Sequence, residues 1–144
     1  MSNRLHDRLH VTSELDQVAR VRHWCADQAR KATLSADEIS EVELAITEAL
    51  ANVIRHSYEG REGCPITVES IVDAGRLELH VVDEGIPFDP DAYGGIDLDD
   101  AHEGGYGVFM IDALMDEVER RSGPSGGTEL VLVKYATALN GAEQ

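Results

Sequence analysis

Two capped helical stretches, then a hairpin, then two more strands predict an α+β protein, a two-layer sandwich with helices on one face of a mixed, mostly antiparallel sheet. Helical periodicity fills residues 14–56, and apolar alternation replaces it at 66–72 and 77–83. The residues between those two runs, Asp73-Ala74-Gly75-Arg76, are turn formers, so the runs pair as a hairpin. A doubly wound parallel sheet needs strands and helices to alternate throughout, and the hairpin breaks that order. With 144 residues the chain is expected to form one domain, residues 1–144, whose core is large enough to be stable without staples.

Each element has its own signal. Leu5, Leu9 and Val11 alternate with Arg4, His6, Arg8 and His10, which predicts a first strand at a sheet edge. Thr12-Ser13-Glu14-Leu15-Asp16 carries a helix start with Ser13 as N-cap, and the stripe Leu15, Val18, Arg22, Cys25 and Ala29 predicts a helix over 14–32. Ser35 and Glu38 repeat the capping signature and open a second helix to about His56. Its buried stripe is Ile39, Val42, Ala45, Ile46, Ala49, Leu50 and Val53. Gly60 and Gly63 then turn the chain into the hairpin, whose second strand ends at Asp83. Residues 84–105 are rich in Gly, Pro and Asp without periodicity, too long for an ordinary connection, and read as a functional loop or lid. A short helix over 107–114, a strand over 117–122, the turn Gly123-Pro124-Ser125-Gly126-Gly127 and a last strand over 128–135 complete the order.

Composition excludes several classes of function. Lys and Arg number 12 against 28 Asp and Glu, and the net charge of -16 repels nucleic acid phosphates and anionic membrane surfaces, so neither is expected as a partner. The charged start Met1-Ser2-Asn3-Arg4-Leu5-His6-Asp7 lacks the apolar core of a secretory signal, and no run approaches the roughly 20 apolar residues of a membrane span; a cytoplasmic protein is expected. Cys25 and Cys64 show no Cys-x-x-Cys spacing, so neither zinc nor a disulfide framework is indicated, and Cys25 reads as a small buried hydrophobe. His6 and His10 share one side of a strand but lack a third metal ligand and read as a solvated edge, while Trp24 reads as core.

Three separated segments carry residues suited to chemistry. Glu48 and Asn52, one helical turn apart, point the same way, pairing a proton acceptor with an amide oxygen able to ligate a hard cation. At this spacing the bland alternative is a solvated helix edge. Asp83-Glu84-Gly85-Ile86-Pro87-Phe88 puts a carboxylate at a strand end, followed by a glycine that lets backbone approach a ligand; alone it is also a common turn. Gly104-Gly105-Tyr106-Gly107-Val108 runs glycines into a helix start, where exposed amides suit a polyphosphate, although neither a Lys-bearing phosphate loop nor a dinucleotide fingerprint is present.

In this order and spacing the segments resemble the GHKL (Bergerat-fold) ATPase and kinase superfamily, and most closely its anti-sigma factor serine-protein kinase branch. The resemblance runs from the helix of Glu48 and Asn52 to Gly126-Gly127-Thr128, with the segment from Gly105 to Val118 nearest to that branch. It implies a single histidine-kinase-like ATPase domain that uses ATP and Mg2+, with Asn52 as magnesium ligand and Glu48 as general base. It also implies that Asp83 accepts a hydrogen bond from the adenine amino group, that Gly85 shapes the base pocket and that Thr128 supports the adenine through water. Gly104, Gly105, Gly107 and Val108 would admit the phosphates; His56 would approach them or satisfy the helix C-terminus. The implied partners are an anti-anti-sigma (STAS-domain) protein as phosphoacceptor and a sigma factor as the sequestered target, with a homodimer built on the first strand and helix. Pro87-Phe88 stands where the superfamily often has a second glycine, Tyr106 where the branch is commonly basic, and Asp91, Asp97, Asp99 and Asp100 make the lid acidic. Tyr106 and the acidic lid sustain a second expectation, a non-catalytic ATP-binding regulator whose nucleotide state sets partner affinity.

Overall fold

The computed structural model describes residues 4–89 and 103–137, with the backbone alone for 103–108. Strands β1 (Leu5–Thr12), β2 (Pro65–Asp73), β3 (Arg76–Asp83), β4 (Glu117–Ser122) and β5 (Thr128–Tyr135) form one sheet in the order β1-β2-β3-β5-β4. Helices α1 (Asp16–Lys31), α2 (Ala36–Asn52) and α3 (Glu103–Leu114) supply the second layer, with α2 packed between the other two. The two-layer α+β sandwich is as expected, and among the described residues every strand pairing is antiparallel, which narrows the mixed, mostly antiparallel sheet expected from sequence. The reason is topological: β3 and β4 run the same way, but β5 folds back between them, so the two never pair.

Period-two alternation decides which side chains meet the helices. Ile66, Val68 and Val72 of β2, Leu77, Leu79 and Val81 of β3, and Leu130 and Leu132 of β5 are buried against Val42, Ala45, Ile46, Ala49 and Leu50 of α2. Register locks the rows, with Val68 opposite Val81 and Leu79 opposite Leu132. Each such side chain contributes about 1.5–3 kcal/mol by leaving water, which is why α2 cannot rotate about its axis without loss. Polar bridges also cross the layers: Ser70 donates to Gln28 Oε1 at 2.8 Å, and buried Lys134 donates to the Leu114 carbonyl at 2.6 Å. The opposite sheet face carries a charged cluster: His80 lies between Glu129 (2.6 Å) and Glu78 (2.5 Å), flanked by Arg121 and Arg76. Burial alone would lower the His80 pKa, but the two carboxylates outweigh it and raise the value.

The first strand is an edge strand, Cys25 is buried, and Trp24 packs on the core, as expected. The start of α1 differs. It begins at Asp16 without a side-chain cap, and Leu15 is 75% exposed rather than part of the stripe. Ser13 instead donates to the Arg61 carbonyl (2.5 Å) and accepts from Cys64 N–H (3.0 Å), so its hydroxyl ties the α2–β2 connection to β1. That long-range use satisfies two backbone groups, where an N-cap satisfies one. The end of α2 differs too, widening into a π-turn over Val53–Ser57 in place of α-helix to His56. Helix α3 starts at Glu103, four residues before the expected start, and takes in Gly104, Gly105 and Gly107. No proline intervenes to stop it, and each glycine costs only about 1 kcal/mol relative to alanine. Of the acidic lid expected over 90–103, residues 90–102 lie outside the described residues.

The capping box at Ser35 and Glu38 is present, and Glu38 does more than cap. Its carboxylate accepts from Ser35 N–H at 2.7 Å and, from across the molecule, from the N–H and hydroxyl of Thr137 at 2.8 and 2.6 Å. Burial pushes its pKa up, but the Ser35 and Thr137 hydrogen bonds outweigh that and bring it to about 2. A depressed folded value means that the stabilisation is complete above the ordinary 4.5 and is lost as pH falls through about 2. Glu38→Ala is expected to lower the urea-unfolding free energy at pH 7 by about 1–3 kcal/mol, because the Ser35 and Thr137 donors lose a charged acceptor. The deficit should shrink on acidification below pH 4.5; a variant as stable as the parent at pH 7 contradicts this role.

Candidate functional site

A cavity opens where the end of α2 and the π-turn meet the ends of β3 and β5, and its walls include Asn52, His56, Ser57, Asp83 and Thr128. Its floor is apolar, with Val81, Leu130 and Ile111. Asp83 is set into that floor at 2% exposure. Its Oδ1 accepts from Gly85 N–H at 3.0 Å, its Oδ2 from the Ser57 hydroxyl at 3.3 Å, and Thr128 N–H also donates to the carboxylate. Burial pushes its pKa above the ordinary value, and the Gly85, Thr128 and Ser57 hydrogen bonds reduce the rise without cancelling it.

Two glycines make this placement possible. A Cβ on Gly127 would lie 2.2 Å from the Asp83 carbonyl oxygen and 2.8 Å from Oδ1, and its φ of 70° is itself unfavourable for any other residue. A Cβ on Gly85 would lie 2.2 Å from the Ser57 carbonyl oxygen. The π-turn completes the arrangement: Tyr58 N–H reaches back to the Val53 carbonyl at 2.9 Å, and the wider turn presents the Ser57 carbonyl to Ile86 N–H at 2.8 Å. The Tyr58 hydroxyl donates to the Pro65 carbonyl (2.5 Å) and accepts from Glu84 N–H (2.7 Å), pinning the loop after β3 at its start. Thr128 Oγ1 accepts from Phe88 N–H at 2.7 Å and pins the same loop further on.

Asn52 contributes an acceptor: its Oδ1 is buried and, among the described residues, has no hydrogen-bond partner. A hard cation or a donor on a ligand would satisfy it, and the carbonyl-type oxygen suits magnesium. Among the described residues no group of three His, Cys, Asp or Glu side chains is placed to hold a metal ion. His56 stands at the rim; what burial it has, and then the charge of Arg55, lower its pKa, so its ring is neutral at pH 7. Glu48 is not in this cavity. It lines a neighbouring groove with Leu15, Ala51, Ile54 and Met110, on the other flank of α2. Of the sequence-predicted residues, Asn52, His56, Asp83 and Thr128 line the cavity, and Gly85 sits behind Asp83. Gly104, Gly105, Gly107 and Val108 lie in the first turns of α3, described in backbone only.

The model of the histidine kinase-like ATPase domain matches residues 11–134, from the end of β1 into β5. The chain belongs to this family. Among its relatives, serine-protein kinase RsbW of Listeria monocytogenes serovar 1/2a is 30% identical, over 91% of this chain and 88% of its own. RsbW of Halalkalibacterium halodurans is 32% identical over 87% of this chain and 80% of its own. RsbW of Bacillus subtilis is 29% identical over 91% and 84%. Every residue that lines the cavity falls within the ATPase-domain match.

Three polar residues that line this ATPase-domain cavity were missed from sequence, Ser57, Asp89 and Arg120. Ser57 had no signal, because only the π-turn brings it to Asp83. Arg120 had one: alternation along Val118 and Arg120 puts both on the helix-facing side of β4. The raised pKa of Asp83 carries a stability consequence. A carboxyl held above its unfolded value costs stability once ionised, fully above the folded pKa and not at all below the unfolded one. Asp83→Asn keeps an oxygen for Gly85 N–H and an amide for the Ser57 hydroxyl, so it is expected to melt no lower than the parent at pH 7, with the difference closing on acidification. A clear loss of melting temperature at pH 7 contradicts the reading of a carboxylate held at a cost.

Proposed function

We propose that this chain is an anti-sigma factor with ATP-dependent protein serine kinase activity, one domain that phosphorylates an anti-anti-sigma (STAS-type) antagonist and otherwise sequesters a sigma factor. The family match and the relatives named serine-protein kinase support this reading. The observation that carries it is the division of α2 into two flanks, with Asn52 in the cavity beside Asp83 and Glu48 in the groove next to it.

In this reading the adenine enters the apolar floor and donates its amino hydrogen to Asp83, with Thr128 assisting through water. Asn52 would hold magnesium, which supplies charge neutralisation on the triphosphate when bound. The acceptor serine comes from a partner protein, so it arrives from outside the nucleotide cavity, and a base on the groove side of α2 is placed to meet it. The serine oxygen forms a bond to the terminal phosphorus, the bond to the ADP oxygen breaks, and the hydroxyl proton passes to Glu48. Positioning carries most of the effect in such a transfer. The protein works as a cytoplasmic homodimer, and its charge of -16 disfavours nucleic acid as a direct partner. Among the described residues no helix is long and apolar enough to cross a membrane.

The same separation of Glu48 from the cavity also favours a second reading, in which ATP is bound but not transferred and only sets partner affinity. Labelled ATP and a candidate antagonist separate the two. The parent is expected to transfer label to the antagonist, Glu48→Gln to retain ATP affinity while losing at least about 100-fold in transfer rate, and Asn52→Ala to lose magnesium-dependent ATP binding. Transfer by Glu48→Gln at the parent rate rejects the base assignment; ATP binding by the parent with no transfer supports the regulator.

A further inference from the structure

Among the described residues, two buried side-chain polar atoms lack a partner, Asn52 Oδ1 and Arg120 Nη2, and both residues line the same cavity. The reading above gives Asn52 a task and leaves Arg120 without one. In the sheet, Arg120 is opposite Leu130 and Leu130 is opposite Val81, so the arginine extends a row of buried apolar floor residues. A guanidinium in that position costs desolvation unless something compensates it. Its neighbours compensate in part. Asp112 Oδ1 is 3.3 Å from Nη1, but that carboxylate is half exposed, and an exposed pair contributes little. The Phe88 ring lies 5.0 Å from the guanidinium carbon, a cation–π contact that fixes the plane. Neither contact uses Nη2. The cavity therefore offers a fixed, unpaired donor on its floor.

We propose that Arg120 is a specificity-determining nucleotide contact, its free Nη2 donating to a ring nitrogen of the purine while the Phe88-backed guanidinium forms one wall of the base pocket. The proposal rests on the ATP reading given above and goes beyond it by assigning a base contact to β4. Two observations favour the base over the phosphates. Arg120 is one row from Asp83 and Thr128, since Ser122, two residues further along β4, is the residue opposite Thr128. Its anchor Asp112 lies in the second half of α3, eight residues beyond Gly104 and so about 12 Å along the helix axis from the glycine-rich end. A donor there completes a set of complementary groups: Asp83 accepts from the base's amino group and Arg120 donates to a ring acceptor. Both are strong when desolvated, because each involves a charged partner.

The experiment titrates adenosine and ATP into the parent, Arg120→Met and Arg120→Lys, following backbone amide shifts by NMR so that weak binding is measurable, with thermal unfolding of each ligand-free protein alongside. Arg120→Met is expected to weaken adenosine and ATP alike by about tenfold or more, the factor for one lost charged hydrogen bond. Its ligand-free melting temperature should be unchanged or higher, since an apolar side chain suits that row. Arg120→Lys, which keeps the charge and loses the planar fork, is expected to fall between the two for both ligands. Parent-like affinity in both variants overturns the proposal, as does a loss confined to ATP, which assigns Arg120 to the phosphates. A parent that binds neither ligand rejects the ATP reading itself, so the two failures are distinguishable.

Discussion

The arrangement of this domain turns on keeping one carboxylate, that of Asp83, out of water at the end of β3. A desolvated carboxylate is tolerated only if donors surround it. Here they come from three places in the chain: Gly85 N–H just after the strand, the Ser57 hydroxyl from the π-turn, and Thr128 N–H from the start of β5. Delivering them sets requirements elsewhere. β5 has to lie next to β3, so the chain must leave β3, pass through α3 and β4, and return between them. Gly127 has to be a glycine because backbone passes within contact of Asp83, and α2 has to end in a wider turn so that Ser57 reaches across.

Helix α2 connects this constraint to chemistry. Its buried stripe fixes its rotation on the sheet, and the Glu38 carboxylate locks its first turn to Thr137. With rotation and start fixed, the far end of the helix has defined flanks. Asn52 falls on the cavity side with its oxygen unsatisfied, and Glu48 falls on the groove side beside Leu15 and Met110, both exposed. On the proposed function, a helix used this way would separate a nucleotide from a protein substrate and present one polar residue to each. The unsatisfied Asn52 oxygen and Arg120 nitrogen are opposite in hydrogen-bonding sense, and the pocket is complementary to a ligand that carries both acceptor and donor edges.

Much of this was legible in the sequence, for identifiable reasons. The strands over 117–122 and 128–135, the hairpin, the Ser35–Glu38 capping box and the buried stripe of α2 follow from local patterns that tertiary structure did not override. Asp83 stood out because it ends a strand ahead of a glycine. What failed were residues whose partners are distant in sequence. Ser13 carried a helix-cap signature and was taken instead by Arg61 and Cys64, because burying it there satisfies two backbone groups. The π-turn had no signature at all, and with it Ser57 was lost from view. Glu48 and Asn52 share a helical face by spacing, yet the helix edge between them divides cavity from groove, a distinction that depends on what packs on each side.

The central claim is that buried Asp83 reads the amino group of an adenine base. A double-mutant cycle between protein and ligand tests it most directly, with the affinities of ATP and purine riboside triphosphate, which lacks only the amino group, measured calorimetrically for the parent and Asp83→Ala. The parent should favour ATP by about 10–100-fold, the worth of one hydrogen bond to a charged acceptor, and Asp83→Ala should bind the two ligands equally. A parent that binds both alike, or a preference for ATP that survives in Asp83→Ala, contradicts it.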